Sequence, residues 1–281
     1  MESRREVITS PQNKYVSLAR GLTNKKNREK GKIFRFDGVK LMCEALKRGV
    51  EFSFILASDC EWGSVIDKAE KLYGIRESDI PCPIIFVNDS LFERLSEEMA
   101  PEGVICVAKY AKNIVDVADL GGFSKLVRDE QVLLLESVRD PLNVGAILRV
   151  AAAFGVNSVI VSRDCADIYN PKTLRASMGA VFGLKVFKVE SIPETVGELK
   201  DSGRRVFAAA LDPNSVKLGE FKIMPRDCVI IGNEGHGLSN EAISACNNTV
   251  FIPMSDGVES LNAATAAAVL VWEFFGKGGS L

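Results

Sequence analysis

Histidine is almost absent from this chain: of 281 residues, only His236 is one. Serine–histidine or cysteine–histidine catalysis would have to run through that single imidazole, and no multi-histidine metal site can be built. The seven cysteines are odd in number, widely scattered and without a C-x-x-C pair. Neither a zinc ribbon nor a disulfide framework is indicated, and reduced thiols in a cytoplasmic protein are the simplest reading. No apolar run reaches the roughly 18 residues that span a bilayer. The opening segment MESRREVITSPQ has no apolar core and is not a secretory signal. No internal repeat or low-complexity tract occurs. A metal-free, membrane-free globular protein of one or two domains is expected, with two the better fit to the length.

Charge is present in ordinary amount but unevenly placed. The formal net charge is −2, yet residues 1–48 hold 13 Lys and Arg against 5 Asp and Glu. Such asymmetry points to a basic N-terminal part that meets a polyanion, with Lys25, Lys26, Arg28 and Lys30 as its densest cluster. The competing reading is a solvated helix face.

Patterning divides the chain. Ser10–Pro11 has the form of a helix N-cap and N1, and a second helix is expected from Asp37 to Gly49. Strands are expected at 52–57, 84–87 and 104–108, with helices at 62–73 and from Asn88 to Glu98. This is a small α/β domain over 1–108. Residues 109–128, with Gly121–Gly122 and mixed charges, read as a linker. From 129 to 281 strands and helices alternate, beginning with the apolar run VLLLESV, as in a doubly wound parallel sheet. Here a loop over Arg139–Gly145 precedes a helix, AILRVAAAFG. Two further strand–loop–helix transitions lie between Asp227 and Trp272.

Ligands in parallel α/β sheets bind where strands end and helices begin. The turn Gly232-Asn-Glu-Gly235-His-Gly237 is such a place. Its spacing is not the G-x-G-x-x-G of dinucleotide sites, and Glu234 would repel a pyrophosphate, which argues against a dinucleotide-dependent oxidoreductase. It also reads as a ligand-free glycine turn. Arg149 stands alone on an apolar helix, either snorkelling to solvent or contacting phosphate. Ser260 could be a helix N-cap.

Taken in order, three segments resemble the SpoU (TrmH-like) branch of the SPOUT RNA methyltransferases. They are Asn143-Val-Gly-Ala-Ile-Leu-Arg149, the run IIGNEGHGLS from Ile230 to Ser239, and IPMSDGVESLNAATAAA from Ile252 to Ala268. Arg175-Ala-Ser-Met-Gly-Ala180 looks like the family's RASxGA element. The third segment departs from the commoner Leu-Asn-Val-Ala/Ser. Residues 1–108 resemble the small ribosomal-protein-like RNA-binding domain that often precedes the catalytic one. The resemblance implies a C-terminal α/β trefoil knot (a parallel sheet flanked by helices), a homodimer whose sites draw on both subunits, and S-adenosylmethionine as methyl donor. It implies Arg149 and Asn143 as catalytic residues, with Asn143 orienting Arg149 or the RNA. Gly232, Ile252, Leu261, Leu211, Ser260 and Asn262 would form the donor pocket, and Glu234 would lie at the subunit interface. His236 falls at a variable motif position and is a bystander. The expected reaction is methyl transfer to a ribose 2′-hydroxyl of ribosomal RNA, with 23S ribosomal RNA the expected substrate. A tRNA 2′-O-methyltransferase and a catalytically silent RNA-binding or ribosome-assembly protein are the alternatives.

Overall fold

The computed structural model describes residues 5–255, 257 and 260–276. The first four residues of the opening segment, and positions 256, 258 and 259 of the loop expected over Pro253–Glu259, lie outside the described residues. The chain forms two compact units, one of 1–112 with 169–182 and one of 113–168 with 183–281.

In the first unit the elements are β1 (Val7–Ile8), α1 (Lys14–Gly21), α2 (Lys25–Gly31), β2 (Ile33–Asp37), α3 (Val39–Lys47), β3 (Phe52–Ser58), α4 (Trp62–Tyr73), β4 (Ile84–Val87), α5 (Asp89–Leu95) and β5 (Val104–Lys109). Their strands make one mixed sheet in the order β1-β4-β3-β5-β2. Asn13, not Ser10, caps α1, its side chain accepting from the Tyr15 N–H at 2.9 Å. The expected basic arm is therefore two folded helices. Strand β2 had no expected counterpart, because Arg35 interrupts its apolar pattern. That arginine is nonetheless buried and bonds Asp37 at 2.8 Å, a pairing that makes its burial tolerable.

The second unit continues with β6 (Ile114–Asp116), α6 (Phe123–Leu126), β7 (Val132–Leu135), α7 (Pro141–Ala153) and β8 (Ser158–Ser162). After α8 (Pro171–Ser177), which belongs to the first unit, come β9 (Lys185–Val189), α9 (Ile192–Asp201), β10 (Val206–Ala209), β11 (Val216–Lys217), β12 (Cys228–Ile231), α10 (Asn240–Ala245), β13 (Asn248–Phe251) and α11 (Ala263–Val271). The stretch 109–128 is thus not bare linker: β6 pairs with β9, and Phe123 and Val127 enter the core. Among the described residues the sheet has eight strands in the order β11-β13-β10-β12-β7-β8-β9-β6, and every recorded pairing is parallel.

Alternation along the central strands explains the layers. Val132 and Leu134 of β7, with Cys228 and Ile230 of β12, pack under α6, α9 and α10. The intervening Leu133, Leu135, Val229 and Ile231 are equally buried and face the other side, where α7 and α11 pack on each other. No helix of the described residues is long and apolar enough to cross a membrane.

The segment 169–182 is held in the first unit by rings at both ends. Tyr169 stacks on Tyr110 at 3.9 Å and meets Phe34 at 4.7 Å, while Phe182 lies 5.7 Å from Phe36. In the second unit, buried Arg204 donates to the carbonyls of Val127, Arg128, Glu130 and Arg226. Arg204→Met leaves those acceptors dry and unpaired and is expected to cost about 2–4 kcal/mol, read as a lower urea midpoint.

Candidate active site

Parallel pairing brings the C-terminal ends of β10, β12 and β13 to one level. The three loops that leave them wall a cavity of about 350 Å³. Ala209 ends β10 and Ala210 and Leu211 follow it, Ile231 ends β12 and Gly232 to Gly235 and Gly237 follow it, and Val250 and Phe251 end β13 with Ile252 and Met254 after it. Ser260, Leu261 and three residues of α11, namely Ala263, Ala266 and Leu270, close the remaining side. Of the residues expected to hold a donor, Gly232, Ile252, Leu261, Leu211 and Ser260 line this cavity, and Leu211 is 84% exposed at its rim. Asn262 does not line it. Asn262 is the N-cap of α11, accepting from the Ala264 N–H at 2.9 Å, so the cap is not Ser260.

The glycine turn is shaped by its own backbone. Asn233 and Gly237 exchange two N–H···O=C bonds at 3.0 Å, folding the turn back over Gly232. A Cβ at Gly232 would stand 2.5–2.7 Å from backbone atoms of Gly237 and Leu238. Glycine is required there by the chain itself, whatever ligand the cavity takes.

Helix α7 starts earlier than the sequence pattern suggests. Asp140 caps it, accepting from the Leu142 N–H at 2.9 Å, and Pro141 occupies the first turn. This lifts Asn143 out of the expected loop and into the helix, where it is 7% exposed. Its Nδ2 donates to Glu234 Oε1, and its Oδ1 accepts from Asn262 Nδ2 at 3.0 Å. One amide therefore joins all three motif segments. The turn is strapped to the β7 side by two further contacts. Asn233 Nδ2 donates to the Ser137 carbonyl at 2.8 Å, and the Glu136 carboxylate accepts from both the N–H and the Oγ of Ser239 at 2.8 Å. Glu136 and Asn233 were missed as site residues; the available signal was a carboxylate ending an apolar strand, which burial makes costly unless donors meet it.

Arg149 is exposed on α7 and has no hydrogen-bond or ion-pair partner among the described residues. It is not brought into contact with the Asn143 network. His236 is exposed, and its backbone N–H donates to Asn233 Oδ1 at 3.1 Å. In α2, Lys25, Lys26 and Lys30 are exposed. Arg28 is 2% exposed and donates to the carbonyls of Leu22 and Thr23 at 2.7 and 2.8 Å. That corrects its expected RNA contact: its fork is spent on capping α1.

Among the described residues no group of three or more His, Cys, Asp or Glu is placed to hold a metal ion. The cavity walls suit a ligand with apolar and backbone-recognised parts. Its one carboxylate, on Glu234, is already engaged by Asn143, and the volume lies within the range of cofactor pockets.

Comparison with known proteins follows the same outline. Residues 130–272 match the SpoU rRNA Methylase family, and residues 13–106 match an MRM3-like substrate binding domain. The 23S rRNA (guanosine(2553)-2′-O)-methyltransferase of Bacillus subtilis is 30% identical over 96% of this chain and 99% of its own. A SpoU methyltransferase of Streptomyces viridochromogenes, solved in complex with the cofactor AdoMet, is 26% identical with a TM-score of 0.78, covering 94% of this chain and 97% of that one. An RNA 2′-O ribose methyltransferase of known structure is 25% identical with a TM-score of 0.76, covering 95% and 97%.

Gly232→Ala is expected to open the turn at a cost of about 1–3 kcal/mol or more. Amide exchange at Asn233 and Gly237 should quicken and the thermal midpoint should fall; unchanged protection at both amides would contradict the close approach.

Proposed function

The chain belongs to the SpoU rRNA methylase family, and from that premise we propose that this RNA methyltransferase acts on a ribose 2′-hydroxyl of 23S ribosomal RNA. S-adenosylmethionine is the methyl donor, and when bound it supplies a methyl group made electrophilic by the sulfonium charge. Gly232, Ile252 and Leu261 hold it, with Leu211 and Ser260 at the rim.

The observation that carries the reading is the meeting of Asn143, Glu234 and Asn262 beside the cavity, with Arg149, unpartnered among the described residues, on the helix of Asn143. A ribose hydroxyl is a weak nucleophile until its proton leaves or its developing charge is stabilised. A guanidinium stays protonated and is unsuited to act as base. Arg149 instead grips the adjoining phosphate and stabilises the forming oxyanion while solvent takes the proton. Asn143 keeps the start of α7 in register with the donor pocket.

Arg149 does not reach the Asn143 network of its own chain, which supports a homodimer with sites shared between copies. Leu142 on α7, Val269 on α11 and Trp272 directly after α11 are 54%, 37% and 43% exposed, an apolar face suited to a second copy. A trefoil knot within residues 227–272 belongs to the same reading. It is supported by α11, which follows β13 near the sheet edge yet packs on α7, across the positions of β10 and β12. Ribosomal RNA is favoured over tRNA by the separate unit resembling a substrate-binding domain and by the relative that acts on 23S rRNA. A ribosomal RNA substrate is met in the cytoplasm.

Arg149→Ala should lower kcat for methyl transfer about 10²–10³-fold while leaving donor affinity by calorimetry within about 2-fold. A wild-type protein that binds the donor but methylates no RNA would favour the silent RNA-binding alternative. Replacing Lys25, Lys26 and Lys30 with Ala together should flatten the salt dependence of RNA affinity. The log–log slope should fall by roughly 0.7–0.9 for each phosphate that is no longer neutralised. An unchanged slope removes α2 from the RNA interface.

A further inference from the structure

The loop between β7 and α7 is held in a conformation its residues disfavour. Ser137 has φ +56°, a left-handed value that a side chain adopts only under restraint. The restraint comes from the end of β8. Ser137 Oγ donates to Asp164 Oδ2 at 2.5 Å, and the Ser137 N–H donates to Ser162 Oγ at 2.9 Å. Ser162 Oγ in turn donates to Asp164 Oδ1 at 2.6 Å. Arg139 Nη2 reaches Asp164 Oδ2 at 3.2 Å, and the Ala166 N–H donates to the Val138 carbonyl at 2.9 Å. Both oxygens of one carboxylate are thereby spent on this loop and its neighbour strand. Burial pushes the Asp164 carboxyl up, but the bonds from Ser137, Ser162 and Arg139 outweigh it and leave it below its ordinary range.

What the loop leads into is the reacting machinery. Asp140 caps α7 three residues beyond Ser137, and Asn143 and Arg149 follow on that helix. The Ser137 carbonyl is also the acceptor for Asn233, so the strained residue touches the turn that walls the donor pocket. A relaxed Ser137 would free the chain ahead of Asn143, so that α7 pivots about its Asn143–Glu234 contact and carries Arg149 out of place. Misplacement on the order of 1 Å costs about 10²-fold in rate when reacting groups must be aligned.

We infer that Asp164 is a positioning residue for methyl transfer, holding Ser137 in its left-handed conformation and so fixing the helix that carries Arg149 relative to the turn after β12. The inference rests on the proposed function above. Asp164 acts through Ser137 and the start of α7, not by touching donor or RNA. Donor affinity is buffered, because the turn keeps its separate ties through Glu136–Ser239 and Asn143–Glu234.

The test is steady-state methylation of ribosomal RNA by wild type, D164A, D164N and the double variant D164A/S137G, with donor Kd and thermal midpoint measured on each. Expected are a kcat about 10–100-fold lower in D164A and a smaller loss in D164N, with donor Kd within about 2-fold. Glycine accepts φ near +56° without strain, so D164A/S137G should regain most of the lost kcat. A role in stability alone predicts a lower midpoint with unchanged kcat per folded molecule, and that result overturns the proposal. So does a double variant no faster than D164A. D164N keeps the volume and serves if D164A does not fold. An inactive wild type overturns the functional reading and this inference with it, whereas an active wild type matched by D164A and D164N overturns the inference alone.

Discussion

The site depends on a single carboxamide. Asn143 has one donor end and one acceptor end, and both are used: the first on Glu234, the second on Asn262. Because the residue is almost fully buried, an unpaired end would carry a desolvation penalty of about 1–3 kcal/mol. The first turn of α7, the loop after β12 and the cap of α11 are therefore joined by a contact that cannot slide without exposing its own cost. The cavity lies between two of these elements, the loop after β12 and α11, and those walls keep their spacing because the amide does.

Around that contact the structure uses polar straps where strands end. Parallel sheets buried on both faces leave little room for charge inside, and here carboxylates appear at the strand ends and in the loops that follow. Glu136 receives two bonds from Ser239 at the start of α10, and Asp164 receives bonds from Ser137 and Arg139 of the loop after β7 and from Ser162 at the end of β8. Each satisfies a buried or half-buried charge with donors from a different segment, so each also sets the distance between segments. The exposed guanidinium of Arg149 stands outside this system, with no hydrogen-bond or ion-pair partner among the described residues.

Arginine and lysine divide their work in the same spirit. Arg28, Arg35 and Arg204 are buried, their planar forks directed at backbone carbonyls or a carboxylate. Lys25, Lys26 and Lys30 stay in water, where a flexible ammonium can follow a phosphate backbone. Counting basic residues overstates the RNA-facing charge, because a fork that caps helix carbonyls is no longer available to an anion.

Much was legible in the chain alone. Apolar strands, helix 62–73 and the cap at Asn88 follow from local rules, since each depends on residues within a turn or two. The order of Asn143, Arg149, Gly232 and Asn262 pointed to the family for the same reason. Strand β2 was illegible because Arg35 looks like a surface residue until Asp37 is seen beside it, and the linker was illegible because Phe123 and Val127 find their core only in three dimensions. Asn143 could be named, but not its partners: Glu234 and Asn262 lie 91 and 119 positions away. Sequence alone determined the periodicities, the local caps and the motif order, all set by neighbours along the chain. Tertiary structure alone decided which side chains meet, because pairing across such separations depends on strand order and register, which no local pattern encodes.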